Sequence, residues 1–75
     1  MKAYFWDFFG PHAEETAKHF RKHLDGFLSE HACSSCKTAL LSLTEGHMAV
    51  ECEAPREHQE LIERTLRPKR SEPRA

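Results

Sequence analysis

The residues with the clearest chemical potential form a short motif in which two serines separate Cys33 from Cys36. Two thiolates at this spacing can bind one tetrahedral zinc ion from a single turn, and zinc then needs two more ligands. His31, His58 and Cys52 are the candidates for those positions. A complete zinc motif would add a second Cys-x-x-Cys or a spaced histidine pair, and neither is present. The predicted metal site therefore consists of Cys33, Cys36, His31 and His58.

The same two cysteines have other interpretations. The chain has three cysteines, and an odd number argues against a disulfide framework. Cys52 falls on the core side of a predicted strand, where a thiol commonly packs as a small apolar group. Cys33 and Cys36 could form a redox dithiol, but such sites lower the thiol pKa at a helix N-terminus, and this pair follows a helix. Two loop cysteines without a role are the plainest interpretation.

No constellation for catalysis emerges from the remaining polar residues. His19 and His23 lie one helical turn apart and could chelate a metal, but a metalloprotease helix needs glutamate where Phe20 stands. The serines lack a nucleophile elbow, and there is no glycine-rich phosphate loop. We therefore expect no enzymatic activity. The sequence requires no cofactor, and zinc is the one ion that the cysteine motif could hold.

Size and charge restrict the class of protein. The 75 residues suffice for one domain, and 11 basic and 12 acidic residues leave a net charge of −1. No global field therefore attracts nucleic acid or an anionic membrane. No apolar run approaches the roughly 20 residues of a membrane span, and the N-terminal aromatic run is too short for a signal peptide. We expect a soluble, cytoplasmic protein without a membrane partner.

Periodicity and punctuation divide the chain into five elements. An aromatic strand over residues 2–9 ends at a Gly-Pro pair, and apolar residues at helical period predict a helix from His12 to about Ser29. Residues 37–54 predict a hairpin with its turn at Glu45-Gly46. Pro55 begins a second helix that reaches about residue 66. We expect one domain over residues 1–67 and a disordered basic tail over residues 68–75.

These elements predict an α+β fold of pattern β-α-β-β-α. A right-handed crossover places the third strand between the first two, which gives an antiparallel sheet of order 1-3-2 with both helices on one face. The hairpin register pairs Ala39 with Cys52 and Leu41 with Val50, so that both pairs face the core. This architecture resembles a ferredoxin-like fold that lacks its last strand. It also gathers the candidate metal residues at one end of the sheet.

The first strand carries the leading functional hypothesis. Burying Asp7 unpaired would be costly, so its other set of side chains, Tyr4, Trp6 and Phe8, should pack under the helices. An apolar patch then lies on the uncovered sheet face, formed by Phe5, Phe9, Leu40 and Ala49. Such patches usually mark contact surfaces, and the first strand is also a sheet edge that invites pairing. We expect a non-catalytic interaction or assembly module, homodimeric through this strand and face.

Other partners are less consistent with the residues. An open sheet with aromatic side chains resembles RNA-binding sheets, but Glu51 and Glu53 on the same face would repel phosphate. Nucleic acid is therefore not an expected partner, and the sequence names no protein partner. A zinc-binding module using the cysteine loop is the alternative function, and a dithiol redox protein is the next.

Overall fold

The computed structural model describes residues 1–74, which form six elements in the order β-α-β-β-α-β. The strands are β1 (Lys2–Phe9), β2 (Lys37–Thr44), β3 (His47–Ala54) and β4 (Arg70–Pro73), and the helices are α1 (Ala13–Glu30) and α2 (Arg56–Leu66). The α+β class and the order of the first five elements are as predicted. Neither helix of the described residues has the length and apolar composition needed to cross a membrane.

The sheet has four antiparallel strands in the order β2-β3-β1-β4. β3 lies between β1 and β2, as predicted, but the predicted three-stranded sheet of order 1-3-2 is incomplete. Residues 70–73 of the segment expected to be a disordered tail over residues 68–75 form β4, which pairs with the N-terminal half of β1; Ala75 lies outside the described residues. β1 is therefore an inner strand over that half, because β4 satisfies backbone groups that we expected to be free.

The hairpin differs from the prediction by one residue of register. Thr44 pairs with His47 beside the turn, as predicted, but an irregularity between Ser42 and Thr44 then shifts the pairing, so that Leu40 is opposite Val50. One extra residue in a strand moves every following side chain to the other face. The predicted core positions of Ala39, Leu41 and Leu43 in β2 are therefore wrong. The predicted burial in β3 is confirmed for Met48, Val50, Cys52 and Ala54.

The helices cover one face of the sheet and enclose the core. Tyr4 and Trp6 are buried beneath them, and Phe8 packs against the same cluster, which confirms the predicted alternation of β1. The rings of Trp6 and Phe20 lie 5.1 Å apart, and the Trp6 indole donates a hydrogen bond to the Leu66 carbonyl at 3.0 Å. The core residues of the helices are Ala13, Ala17, Leu24, Leu28 and Ile62.

The face without helices is covered by charged side chains from the C-terminus. Phe5 is only 5% exposed, because the Arg70 guanidinium lies 4.5 Å from its ring centre. Arg74 forms ion pairs of 2.7 Å with Glu51 and 3.1 Å with Glu53. These arginines bury the ring through their planar groups and apolar stems, an arrangement that residue spacing alone did not reveal.

The four residues of the predicted apolar interface consequently do not form one exposed patch. Phe5 and Ala49 are buried, and Leu40 lies on the helix side, where it packs against the core cluster. Phe9 is the one member of the set that is widely exposed, at 72%. The four residues therefore do not share one uncovered face, although a dimer contact itself stays a prediction.

The ion pair between Asp7 and Arg70 gives a test of the charged side chains that cover the face without helices. The pKa of its carboxyl lies below the ordinary value of 3.8, mainly because Arg70 donates hydrogen bonds to it, with a further contribution from His47. A group whose pKa is lower in the folded state adds stability above its unfolded pKa, and this stability is lost as pH falls through the folded value. We expect Asp7→Asn to lower the free energy of unfolding by about 1 kcal/mol near neutral pH.

Urea unfolding measured from about pH 7 down to about pH 3 would check this, because the difference between wild type and variant should narrow on acidification. Glu60→Gln is a suitable control, since the Glu60 side chain is 87% exposed and should have almost no effect. A difference for Asp7→Asn that stays constant over this range would contradict the proposed role of the ion pair.

Candidate metal site

Four elements meet at one end of the sheet: α1 ends there, β2 begins, β3 ends and α2 begins. Cys33 and Cys36 lie in the loop from α1 to β2, Cys52 lies near the end of β3, and His58 lies in the first turn of α2. The sequence predicted that the reactive side chains would gather at this end. The structure brings together Cys33, Cys36, Cys52 and His58.

The end of α1 determines where Cys33 points. Ala32 takes a left-handed conformation with φ of 56°, and the Cys33 N–H donates to the Leu28 carbonyl at 2.8 Å. Together with the bond from the Ala32 N–H to the Ser29 carbonyl, this is the Schellman arrangement, which packs the residue after the left-handed one against the last turn. Cys33 is accordingly 1% exposed, and its carbonyl accepts a hydrogen bond from the Cys36 N–H at 3.0 Å.

The start of α2 brings an imidazole to the same thiol. Pro55 precedes the helix, and the His58 N–H donates to the Pro55 carbonyl at 3.1 Å. His58 Nδ1 lies 3.2 Å from Cys33 Sγ. Tetrahedral zinc bound to one thiolate and one imidazole would place these two atoms about 3.6 Å apart, from the usual bond lengths. The observed pair is therefore close to the separation that coordination requires.

The other two thiols continue the cluster into the core. Burial raises the pKa of the Cys52 thiol to about 12, and the neighbouring Cys36 thiol adds to this shift. Burial raises the pKa of Cys36 to about 11, and the nearby Cys33 thiol adds to this shift, whereas the Cys52 thiol opposes it. A redox dithiol needs a lowered thiol pKa, so this environment does not favour that alternative.

The observed cluster differs from the predicted ligand set in one member. His31 is exposed, and its ring packs on Phe27 with centres 4.4 Å apart; only its backbone carbonyl approaches Cys33 Sγ, at 3.5 Å. Cys52, which we interpreted as a core residue, takes its place beside the other thiols. The available signal was topological, since Cys52 lies on the helix face of β3 close to the start of α2.

Two further observations concern whether the cluster could hold a metal ion. Within residues 1–74, no group of three or more His, Cys, Asp or Glu side chains is already arranged to hold a metal ion. An open cleft of about 270 Å³, lined by Asp25, Ser29, Cys33 and Cys36 among others, borders two of the three thiols. The cluster thus has suitable donors, but its side chains must adjust to coordinate.

A second pair of imidazoles lies apart from this cluster. His19 Nε2 and His23 Nε2 are 3.0 Å apart on the exposed side of α1, one helical turn from each other. They supply two donors, whereas a stable zinc site needs four ligands. The thiol cluster is therefore the stronger candidate.

Comparisons with protein-family models, with curated proteins and with solved structures find no match to this chain. The interpretation of the site consequently depends on its own geometry and chemistry.

Burial predicts the order in which the three thiols react. In metal-free, reduced protein, we expect iodoacetamide to modify Cys36 first, because Cys33 and Cys52 are 1% and 0% exposed. Mass spectrometry of peptides from briefly treated native protein would measure this, with urea-unfolded protein as the control in which all three react alike. Equal labelling of Cys52 and Cys36 in the native state would show that the cluster is open to solvent.

Proposed function

We propose that this protein is a small zinc-binding domain in which Cys33, Cys36, Cys52 and His58 hold the ion. The observation that carries the proposal is the convergence of three thiols and one imidazole from three segments, the α1–β2 loop, β3 and α2, with Cys33 Sγ 3.2 Å from His58 Nδ1. Three cysteines and one histidine are a common ligand set of structural zinc sites. This set retains three residues of the sequence prediction and replaces His31 by Cys52.

The site suits a structural role better than a catalytic one. A catalytic zinc keeps one position open for water or substrate, whereas four protein ligands would close the coordination sphere. A thiol–imidazole pair can also activate a nucleophile, but Cys33 is 1% exposed and no substrate could reach it. Absence of catalysis therefore remains part of the proposal.

A structural ion would stabilise the attachment of α2, which has a single buried residue. Ile62 is the only fully buried residue of α2 and Leu66 packs against the same core, so the apolar core holds this helix at few points. An ion bound by His58 and Cys52 would tie the start of α2 to β3, and one bound by Cys33 and Cys36 would tie both to the end of α1. Domains of this size often depend on such a support, because their cores are small.

A non-catalytic interaction role is the second candidate, supported by the exposure of Phe9 at 72% and Leu43 at 44%. It is compatible with a structural metal, since these residues lie away from the thiols. The order β-α-β-β-α-β also supports a ferredoxin-like arrangement with its full set of strands, where the sequence predicted a truncated one.

The proposal predicts one zinc ion per chain. Native mass spectrometry and calorimetric titration of reduced, metal-free protein should give this stoichiometry. Zinc at a thousandfold excess over its Kd should raise the free energy of unfolding by about 4 kcal/mol, because only the folded state has the complete site.

Two histidine variants form a matched comparison. His58→Ala should weaken zinc binding by more than about 100-fold, because even outer partners of metal ligands commonly contribute 10- to 100-fold. His31→Ala should bind as wild type does, because its side chain lies on Phe27. Loss of binding in His31→Ala but not in His58→Ala would instead favour the ligand set predicted from sequence. Reduced wild type that binds no zinc would refute the proposal.

A further inference from the structure

β2 is an outer strand of the sheet, and apart from Arg21, which bonds to the Thr38 carbonyl, it lacks most of the features that usually protect such an edge. Its eight residues contain no proline, and Lys37 at its start is its only charged residue. Natural edge strands are commonly shortened, or carry charges or proline, because their unpaired backbone groups bind other strands. The opposite edge, β4, is protected in this way, since it has four residues and includes Arg70, Glu72 and Pro73.

One contact shows which residues of β2 direct their backbone groups away from β3. Arg21 Nη2 donates to the Thr38 carbonyl at 3.1 Å, on the side of β2 that faces away from β3. Alternate residues of a strand direct their N–H and C=O groups to the same side, so Leu40 and Ser42 also present theirs outward. Within residues 1–74, no strand pairs with this side of β2.

Apolar side chains border this edge on the face without helices. Leu41 and Ala39 are partly exposed there and Leu43 is exposed at 44%, while Phe9, exposed at 72%, lies in β1 on the far side of β3. The arginines and carboxylates that cover the same face lie toward β4. The uncovered apolar half and the unpaired edge therefore form one continuous surface, as expected of a protein contact.

We propose that a second copy of this chain pairs with β2 in antiparallel orientation, so that two sheets join into one. With the twofold axis at Leu41, Leu40 of each copy pairs with Ser42 of the other. Beyond the irregularity, the turn that carries Glu45 in one copy lies near Lys37 at the start of β2 in the other. The single charged residue of β2 thus approaches an opposite charge.

Charge complementarity favours a second copy of this chain, in antiparallel orientation, as the partner of β2. Lys37 and Glu45 take part in no ion pair among residues 1–74, so both are available. Parallel pairing of two copies in register would oppose lysine to lysine and glutamate to glutamate, which destabilises strand pairs. The irregularity between Ser42 and Thr44 leaves residues 37–42 regular. The surface is separate from the proposed zinc site, so either proposal can fail without the other.

Charge reversal gives a direct test. The two single variants, Lys37→Glu and Glu45→Lys, should each dimerise at least about tenfold more weakly than wild type, because two ion pairs become two repulsions. Mixing the two variants should restore a heterodimer, since each then meets the opposite charge. The double variant should form a homodimer again. Analytical ultracentrifugation over a concentration series measures all four cases, with and without zinc.

Arg64→Glu is the matched control for net charge, because it lies on the exposed side of α2, away from β2, and should dimerise as wild type does. Circular dichroism establishes that each variant is folded. A monomeric wild type would overturn the proposal, as would single variants that dimerise normally. If Phe9→Ser abolishes the dimer while the charge variants keep it, the sheet face and not the β2 edge is the contact, and the proposal is wrong.

Discussion

The structure depends on the covering of β1: other side chains pack on its two faces, and β3 and β4 pair with its two edges. Its four buried residues include Tyr4 and Trp6 on one face and Phe5 on the other, so neither face can remain in water without cost. The helices cover the first face, and Arg70 and Arg74 cover Phe5 on the second. Those arginines bring charge onto an apolar surface, and the carboxylates of Asp7, Glu51 and Glu53 compensate it. The backbone pairing of β4 places the arginines where this is possible.

The pairing of β1 with β3 also determines which reactive side chains meet at the end of the domain where α2 begins. Because β3 pairs with β1 along its full length, β3 ends beside the start of β1, and α2 begins at the same end as the α1–β2 loop. Cys52 on β3 is then carried to Cys36, and His58 on α2 to Cys33. The thiols lie between the core and the surface, so one ion would link three elements that the small apolar core holds only locally.

The two edges of the sheet are unequal, and this inequality relates the fold to association. Over the half of β1 that it pairs, β4 ends the sheet with a short, charged, proline-containing strand, which resists further pairing. β2 ends it on the other side with a longer strand whose only charged residue is Lys37 and which includes the exposed Leu43. The proposed association therefore uses the less protected of the two edges.

Some features of this protein follow from its sequence by itself, because neighbouring residues determine them. The period of α1, the alternation of β1 around Asp7 and the turn at Glu45-Gly46 each depend on a few adjacent positions, and all three agree with the structure. Connectivity was also sufficient to predict that the cysteines and His58 gather at one end. These inferences required no knowledge of which side chains finally meet.

Tertiary structure decided what depends on contacts between distant residues. Arg74 meets Glu51 across 23 positions, and without that contact residues 70–73 have the composition of a disordered tail. The extra residue before the hairpin turn reversed the faces of β2, although the turn itself was correctly predicted. Cys52 lies beside the other thiols and the His31 ring does not, because that ring packs on Phe27. Local periodicity determines which residues form an element, whereas register and side-chain partners depend on the free energy of the assembled whole.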